Sequence, residues 1–370
     1  MNGPDVLVPA QMQAAPLAEV RNHTPFPSQY FQMLDTHDEV FHVIASRVTY
    51  DLHQLGSDST PQLAQQQSPL QDVDQFYDQP NTSSGIQESD LAPYKPLCDV
   101  LLSNATAYSP KGQPERRWPV GIRIGSWKKT LAVTGPRRLR HGLLGWKVQE
   151  PEKATQVPLR WELAYGGTCQ WPLQTAQDQD PEIWAPYETN PIGCGWVDKK
   201  WHQKSHVNDM AAPQIETLNQ PFTNHWANAM NYAPVGVGPV GKWWMPRRAK
   251  GGTYDQAWKE TRWPRLPQDF DFGYWNCAPQ DQQIAFPQGG EEVVLVGLVP
   301  GRDALPFFMP KPALHAVVRL NIGPVLPLPM RLDTVVFDLK AMTLSCVWRL
   351  QVAAQFGVRV LELRKGQAPA

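Results

Sequence analysis

A chain of 370 residues with 42% hydrophobic and 19% charged side chains can bury a large core, and this composition excludes an intrinsically disordered protein. Its 34 basic and 35 acidic residues leave a formal net charge of −1, so nothing global draws it to nucleic acid or to an anionic membrane.

The 37 prolines and 26 glycines break long helices and multiply connections, which points to an all-β or β-dominated fold with few short helices. The 15 tryptophans supply packing surface for a loop-rich core, with a minority left for interfaces. Five cysteines, an odd count with wide gaps and no CxxC pair, read as reduced thiols in a cytosolic setting. The first residues, MNGPDVLVPAQMQAAPLAEV, hold neither a basic n-region nor a long apolar run, so no signal peptide is expected. No stretch reaches the roughly 18 apolar residues that a membrane-spanning helix needs. The expected location is the cytoplasm.

In chain order, residues 1–17 read as a loose leader. FHVIASRVTYDL (41–52) reads as the first strand, from its β-branched and aromatic content. Residues 53–96, rich in Gln, Asp, Ser and Pro, read as a long polar loop region or an irregular lobe. Strands resume at 98–108, then at 118–127 and 128–134, where GIRIGSWKKTLAV alternates between core and solvent faces. QVPLRWELAY (156–165) reads as one further strand, stopped by Gly166 and Gly167. Between 168 and 290 a single helix is expected at 253–261, with Thr253 as cap and Gln256 at the capping-box position. Strands follow at 292–298, 316–320, 334–339, 343–347 and 357–363, with a turn near Lys340 and Ala341. The domain reading is a β-rich unit over 18–345, divisible into lobes 18–167 and 168–345, then a C-terminal strand and tail over 346–370.

No reactive centre is framed. His202 and His206 have the spacing of two metal ligands on a helix, but HQKSH lacks the glutamate that a zincin needs, and the segment reads as an exposed loop. In DFDF, Asp269 and Asp271 alternate with Phe270 and Phe272, which reads as simple alternation, acids one way and rings the other, rather than a catalytic acid pair. There is no GxSxG elbow and no P-loop, and the glycines of NPIGCGWVD and GVGPVGKWW lack a following helix. The basic run PRRLR (136–140) and the pair Arg247–Arg248 are too sparse for a nucleic-acid site. No cofactor, no metal and no enzyme activity are expected.

Nine phrases, in order, carry a resemblance: NHTPF (22–26), SSGIQESDLAPYKPLCDVLL (83–102), WELAYGG (161–167), NPIGCGW (190–196), VGVGPVGKWWMPR (235–247), GGTYDQAWKETRWPRLPQDFD (251–271), PQDQQ (279–283), GGEEVVLVGL (289–298) and LDTVVFD (332–338). The 21-residue phrase at 251–271 is the specific one. The chain resembles the family known as domain of unknown function 2169, which accompanies bacterial type VI secretion clusters. The resemblance implies a non-catalytic adaptor or chaperone. Its implied partners are a secreted effector and the VgrG or PAAR-type proteins of the spike tip. It supplies no catalytic residues. The sequence departs from the family at Leu163, where a basic residue is more common.

Two other readings remain: a structural part of a secretion or phage-tail-like particle, and a hydrolase with an unrecognised site. Candidate partner anchors are Trp243, Trp244, Arg247, Tyr254 and Trp258, since interfaces concentrate energy in Trp, Tyr and Arg on braced loops. Candidate braces are Glu88, Asp90 and Lys95 as one charged cluster, Asp255, and Arg262 paired to Asp269 or Asp271.

Overall fold

The computed structural model describes residues 15–169, 185–311, 314–366 and 368. Residues 1–14 of the expected leader lie outside the described residues.

The fold is β-dominated, with only short helices, as expected from the proline and glycine content. Its largest sheet has seven strands. Six follow the order Ser28–Leu34, Val40–Leu55, Thr343–Ala353, Arg331–Asp338, Cys98–Ser103 and Gln283–Ile284, and the short strand Pro61–Leu63 pairs along Val40–Leu55. Pairing is antiparallel except where Arg331–Asp338 runs parallel to Cys98–Ser103, with Val335 opposite Val100. The central strands are buried along most of their length, and the polar residues they bury there, such as Arg47 and Asp99, are paired, with Asp90 and Lys95.

A second sheet orders Ile215–Thr217, Trp127–Thr134, Arg117–Ile124, Glu292–Val299 and Arg302–Phe308. In Arg117–Ile124 the alternation is strict: Trp118, Val120, Ile122 and Ile124 point inward and their neighbours outward. One hydrophobic core draws on both sheets, and Phe307 of the second touches Phe337 of the first at 6.3 Å between ring centroids.

A smaller aromatic core lies under the sheet Gly145–Val148, Arg138–Gly142, Asp209–Ala211. Tyr165, Tyr187, Phe222 and Tyr232 meet there edge to face, and the Tyr165 hydroxyl donates to the carbonyls of Trp226 and Ala229. Tryptophan and tyrosine thus fill a loop-rich region that regular elements leave open.

Several elements differ from expectation. Ser28–Leu34, SQYFQML, is a strand although no alternation marks it, because every residue is half-buried. The segment 156–165 splits: Pro158 ends a short strand, Trp161–Leu163 forms a 3-10 turn, and pairing restarts at Tyr165. Within that turn Leu163 packs against the main core. DFDF forms no strand, since Asp271 caps the 3-10 turn Phe272–Trp275 through Gly273 N at 2.7 Å. Lys199–Ser205 is a helix rather than a loop, capped by Asp198. His206 closes it at φ 54°, off the helical path, so the two histidines do not share a helix face.

A braced loop as candidate docking surface

The phrase at 251–271 folds into a projecting loop whose two ends are tied together. Thr253 does not cap the helix. Its amide and hydroxyl both donate to Asp269, at 3.0 and 2.7 Å, and these bonds hold the Asp269 carboxyl below its usual range. Gly252 makes the closure possible: it sits at φ +80°, and a Cβ there would meet Pro267 at 2.8 Å.

The helix is Gln256–Thr261, and its cap is Asp255, which accepts from Trp258 N at 2.8 Å. Thr and Asp are both good caps, and the claim of Asp269 on Thr253 decides between them. The loop is also pinned from within. Trp258 Nε1 donates to the Arg265 carbonyl at 2.9 Å, and Arg262 Nε to that of Leu266 at 2.8 Å.

Arg262 braces the loop, but not through Asp269 or Asp271. It reaches the turn between strands Ser28–Leu34 and Val40–Leu55, donating to Asp38 Oδ1 at 3.0 Å and to the Thr36 carbonyl at 3.1 Å. Arg265 takes Asp38 Oδ2 at 3.0 Å. Both local acids are already engaged, Asp269 with Thr253 and Asp271 with Gly273, so the guanidinium is left to a carboxylate more than two hundred residues away.

The candidate anchors separate by burial. Tyr254 is 53% exposed and stands edge-on against half-buried Trp258, with ring centroids 4.7 Å apart. Trp244, 3% exposed, packs edge-on to Trp161 at 5.4 Å, and Trp243 lies partly buried against the same core. Arg247 is also 3% exposed. It donates to the Tyr274 carbonyl from Nε and Nη2 at 3.0 and 2.8 Å, to the Val240 carbonyl at 2.9 Å, and to Glu88. Trp244 and Arg247 therefore hold the scaffold under the loop and present no surface to a partner.

Trp263, absent from the expected anchors, is 57% exposed at the outer end of the loop. Nothing in its local sequence separates it from the buried tryptophans.

Glu88, Asp90 and Lys95 do not form one cluster. Glu88 meets Arg247, Asp90 meets Arg47 at 2.7 Å, and Lys95 meets Asp99 at 2.8 Å. Burial opposes the charge on Lys95, but the Asp99 carboxylate outweighs it and holds the amine above its usual range. Each pair ties the 71–96 region to a different part of the sheet-and-loop scaffold, so this long polar segment is fixed in place.

Beside the loop lies an apolar recess of about 290 Å³. Met33, Leu34, Phe41, Pro93, Tyr94 and Phe272 line it. It sits between the turn that holds Arg262 and the residue that follows Asp271. Exposed aromatic faces, an apolar recess and a fixed backbone are the groups with which proteins recognise proteins. Among the described residues no group of three or more His, Cys, Asp or Glu side chains is placed to hold a metal ion, and no helix is long and apolar enough to cross a membrane.

The model of a family described as an uncharacterized protein conserved in bacteria (DUF2169) matches residues 37–349, and the chain belongs to this family. No curated protein and no solved structure matches the chain.

Proposed function

We propose that this member of the family is a non-catalytic adaptor that binds a secreted effector in the cytoplasm and helps load it onto a type VI spike tip of the VgrG or PAAR type. The observation that carries the reading is the braced loop. Thr253–Asp269 closes it, Arg262 and Arg265 fasten it to Asp38, it exposes Tyr254 and Trp263, and the turn it is fastened to borders an apolar recess. Two exposed aromatic rings on a mobile loop would cost ordering entropy when a partner binds. On this loop most of that ordering is already in place, so burial of the rings contributes more fully to affinity. The secretion setting rests on the resemblance of the phrases described above.

The test is affinity purification of the tagged chain from cells expressing the neighbouring genes. The expected result is a stoichiometric complex with one effector or spike protein, absent from sheared extracellular spike material. Recovery of the chain in that exported material would favour a permanent structural part. Failure to capture any neighbouring product, with the effector co-expressed, would remove the support for the adaptor reading.

A further inference from the structure

We infer that the hairpin tip Leu143–Leu144, with the cations around its base, is a contact site for an anionic lipid surface. This does not rest on the adaptor reading and uses a different face of the chain.

The strands Arg138–Gly142 and Gly145–Val148 pair up to Gly142 opposite Gly145, which leaves the two leucines as the tip. Short hairpin turns favour Asn, Asp and Gly, because some position must take positive φ. Here Gly145 takes it, at φ +90°, and neither leucine does. Turn geometry therefore gives no reason for leucine at these positions.

Leu143 and Leu144 are 108% and 103% exposed, the highest values for large apolar side chains among the described residues. A Cβ built on Gly142 or Gly145 would find nothing within 4 Å, so the tip stands clear of the body. An isolated exposed leucine is ordinary. Two adjacent ones at the end of a projecting ribbon form a concentrated apolar point.

The base of the hairpin is basic. Arg138, Arg140 and Lys147 lie on its strands and are exposed. The helix Lys199–Ser205 adds exposed Lys199 and Lys200. It is held against the hairpin by His202, whose ring lies 4.5 Å from that of His141 and 5.0 Å from that of Trp146. Asp209 faces this group, pairing with Arg138 at 2.8 Å and Arg140 at 3.7 Å, and Asp198 caps the helix. Among the described residues these five cations, with exposed Lys204 on the same helix, outnumber Asp209, Asp198 and Glu150, the last of which follows the hairpin and pairs with Arg116, so the patch carries a positive excess although the whole chain is at −1. The near-zero net charge hid this local excess.

An apolar point ahead of a cationic base matches a bilayer edge in order and in sign. Acyl chains take the leucines, and anionic headgroups meet Arg140, Lys147 and Lys199. The tip is convex, so it would need a matching hole on a protein partner, whereas a fluid interface accommodates it without one.

The experiment is co-sedimentation of the full chain with phosphatidylcholine vesicles, with and without about one-third phosphatidylglycerol. Binding is expected only to the anionic vesicles and weakens as salt rises. The L143S/L144S variant should lose at least about tenfold in partitioning while its thermal unfolding stays unchanged. K199E/K200E should also lose binding, and its helix is preserved because glutamate is favourable at a helix N-terminus. Wild-type chain that ignores anionic vesicles, or a folded double-serine variant that binds them equally, overturns the proposal. So does a tip variant that loses only a protein partner, which would make the tip a protein contact.

Discussion

Lys129 provides a quantitative test of the packed interior. It lies on the strand Trp127–Thr134 and is 6% exposed, with Nζ donating to the Gly236 carbonyl at 2.6 Å and to Asp281 at 2.8 Å. Burial pushes its amine down from 10.5 to about 8, against the pull of the Asp281 carboxylate. That fall corresponds to about 3 kcal/mol of extra cost for the charged form in the folded state. The folded value lies below the unfolded one, so between about pH 8 and about pH 10.5 the unfolded chain holds a proton that the folded chain has released. Stability attributable to this group therefore rises with pH through that window and is lowest below it.

The perturbation is Lys129→Met, which removes the titration. Urea unfolding of both proteins from about pH 7 to about pH 11 gives the difference in stability, and all other groups cancel to first order. Wild type minus variant should rise by about 3 kcal/mol across the range. The offset at neutral pH is not the readout, since the variant also strands the Gly236 carbonyl. A difference flat to within about 0.5 kcal/mol would refute the reasoning, because Lys129 would then titrate as an exposed amine.

Three further outcomes follow from named contacts. Arg247→Ala should cost about 3–5 kcal/mol in chemical denaturation, since it leaves Glu88 unpaired and the Tyr274 and Val240 carbonyls without a donor; a loss under about 1 kcal/mol would contradict its role as a buried hub. Asp38→Gly, which tolerates the φ of 66° at that position, should release Arg265, leave Arg262 only the Thr36 carbonyl on that turn, and speed proteolysis within 253–269 with little change in Tm, and an unchanged cleavage rate would mean the tether does not hold the loop. Hydrogen bonds from Arg319 and Arg364 hold Glu362 down at about 2, so its stabilisation is present above about pH 4.5 and fades as pH falls through about 2; Glu362→Gln should flatten that acid limb, and an unchanged limb would contradict it.

The long strands were legible because their residues fill both faces or alternate cleanly, as in VFHVIASRVTYDL and RWPVGIRI. The turn after Asp338 was legible too, since Asp338 Oδ1 accepts from the amides of Lys340 and Ala341 at 3.0 and 2.9 Å. Ser28–Leu34 was not, because a uniformly half-buried strand carries neither signal. Pairings of ions were the least legible part. Arg262 has Asp255, Glu260, Asp269 and Asp271 within nine positions and pairs with Asp38 instead, and Glu88, Asp90 and Lys95 scatter to three partners. Spacing along the chain fixes a pair on a helix, but not between loops brought together by a sheet. For the same reason tryptophan content could not separate Trp244 from Trp263: one is fixed under the loop by Trp161, the other projects from its end.

Recognition of a protein by the braced loop, as proposed, runs through Tyr254 and Trp263. The direct measurement is calorimetric titration of the co-purifying partner with wild-type chain and with the Tyr254→Ala/Trp263→Ala variant, alongside the Tm of each. The expected result is an affinity loss of about 2 kcal/mol or more, roughly thirtyfold, at unchanged Tm. A variant that stays folded and binds with full affinity would contradict it.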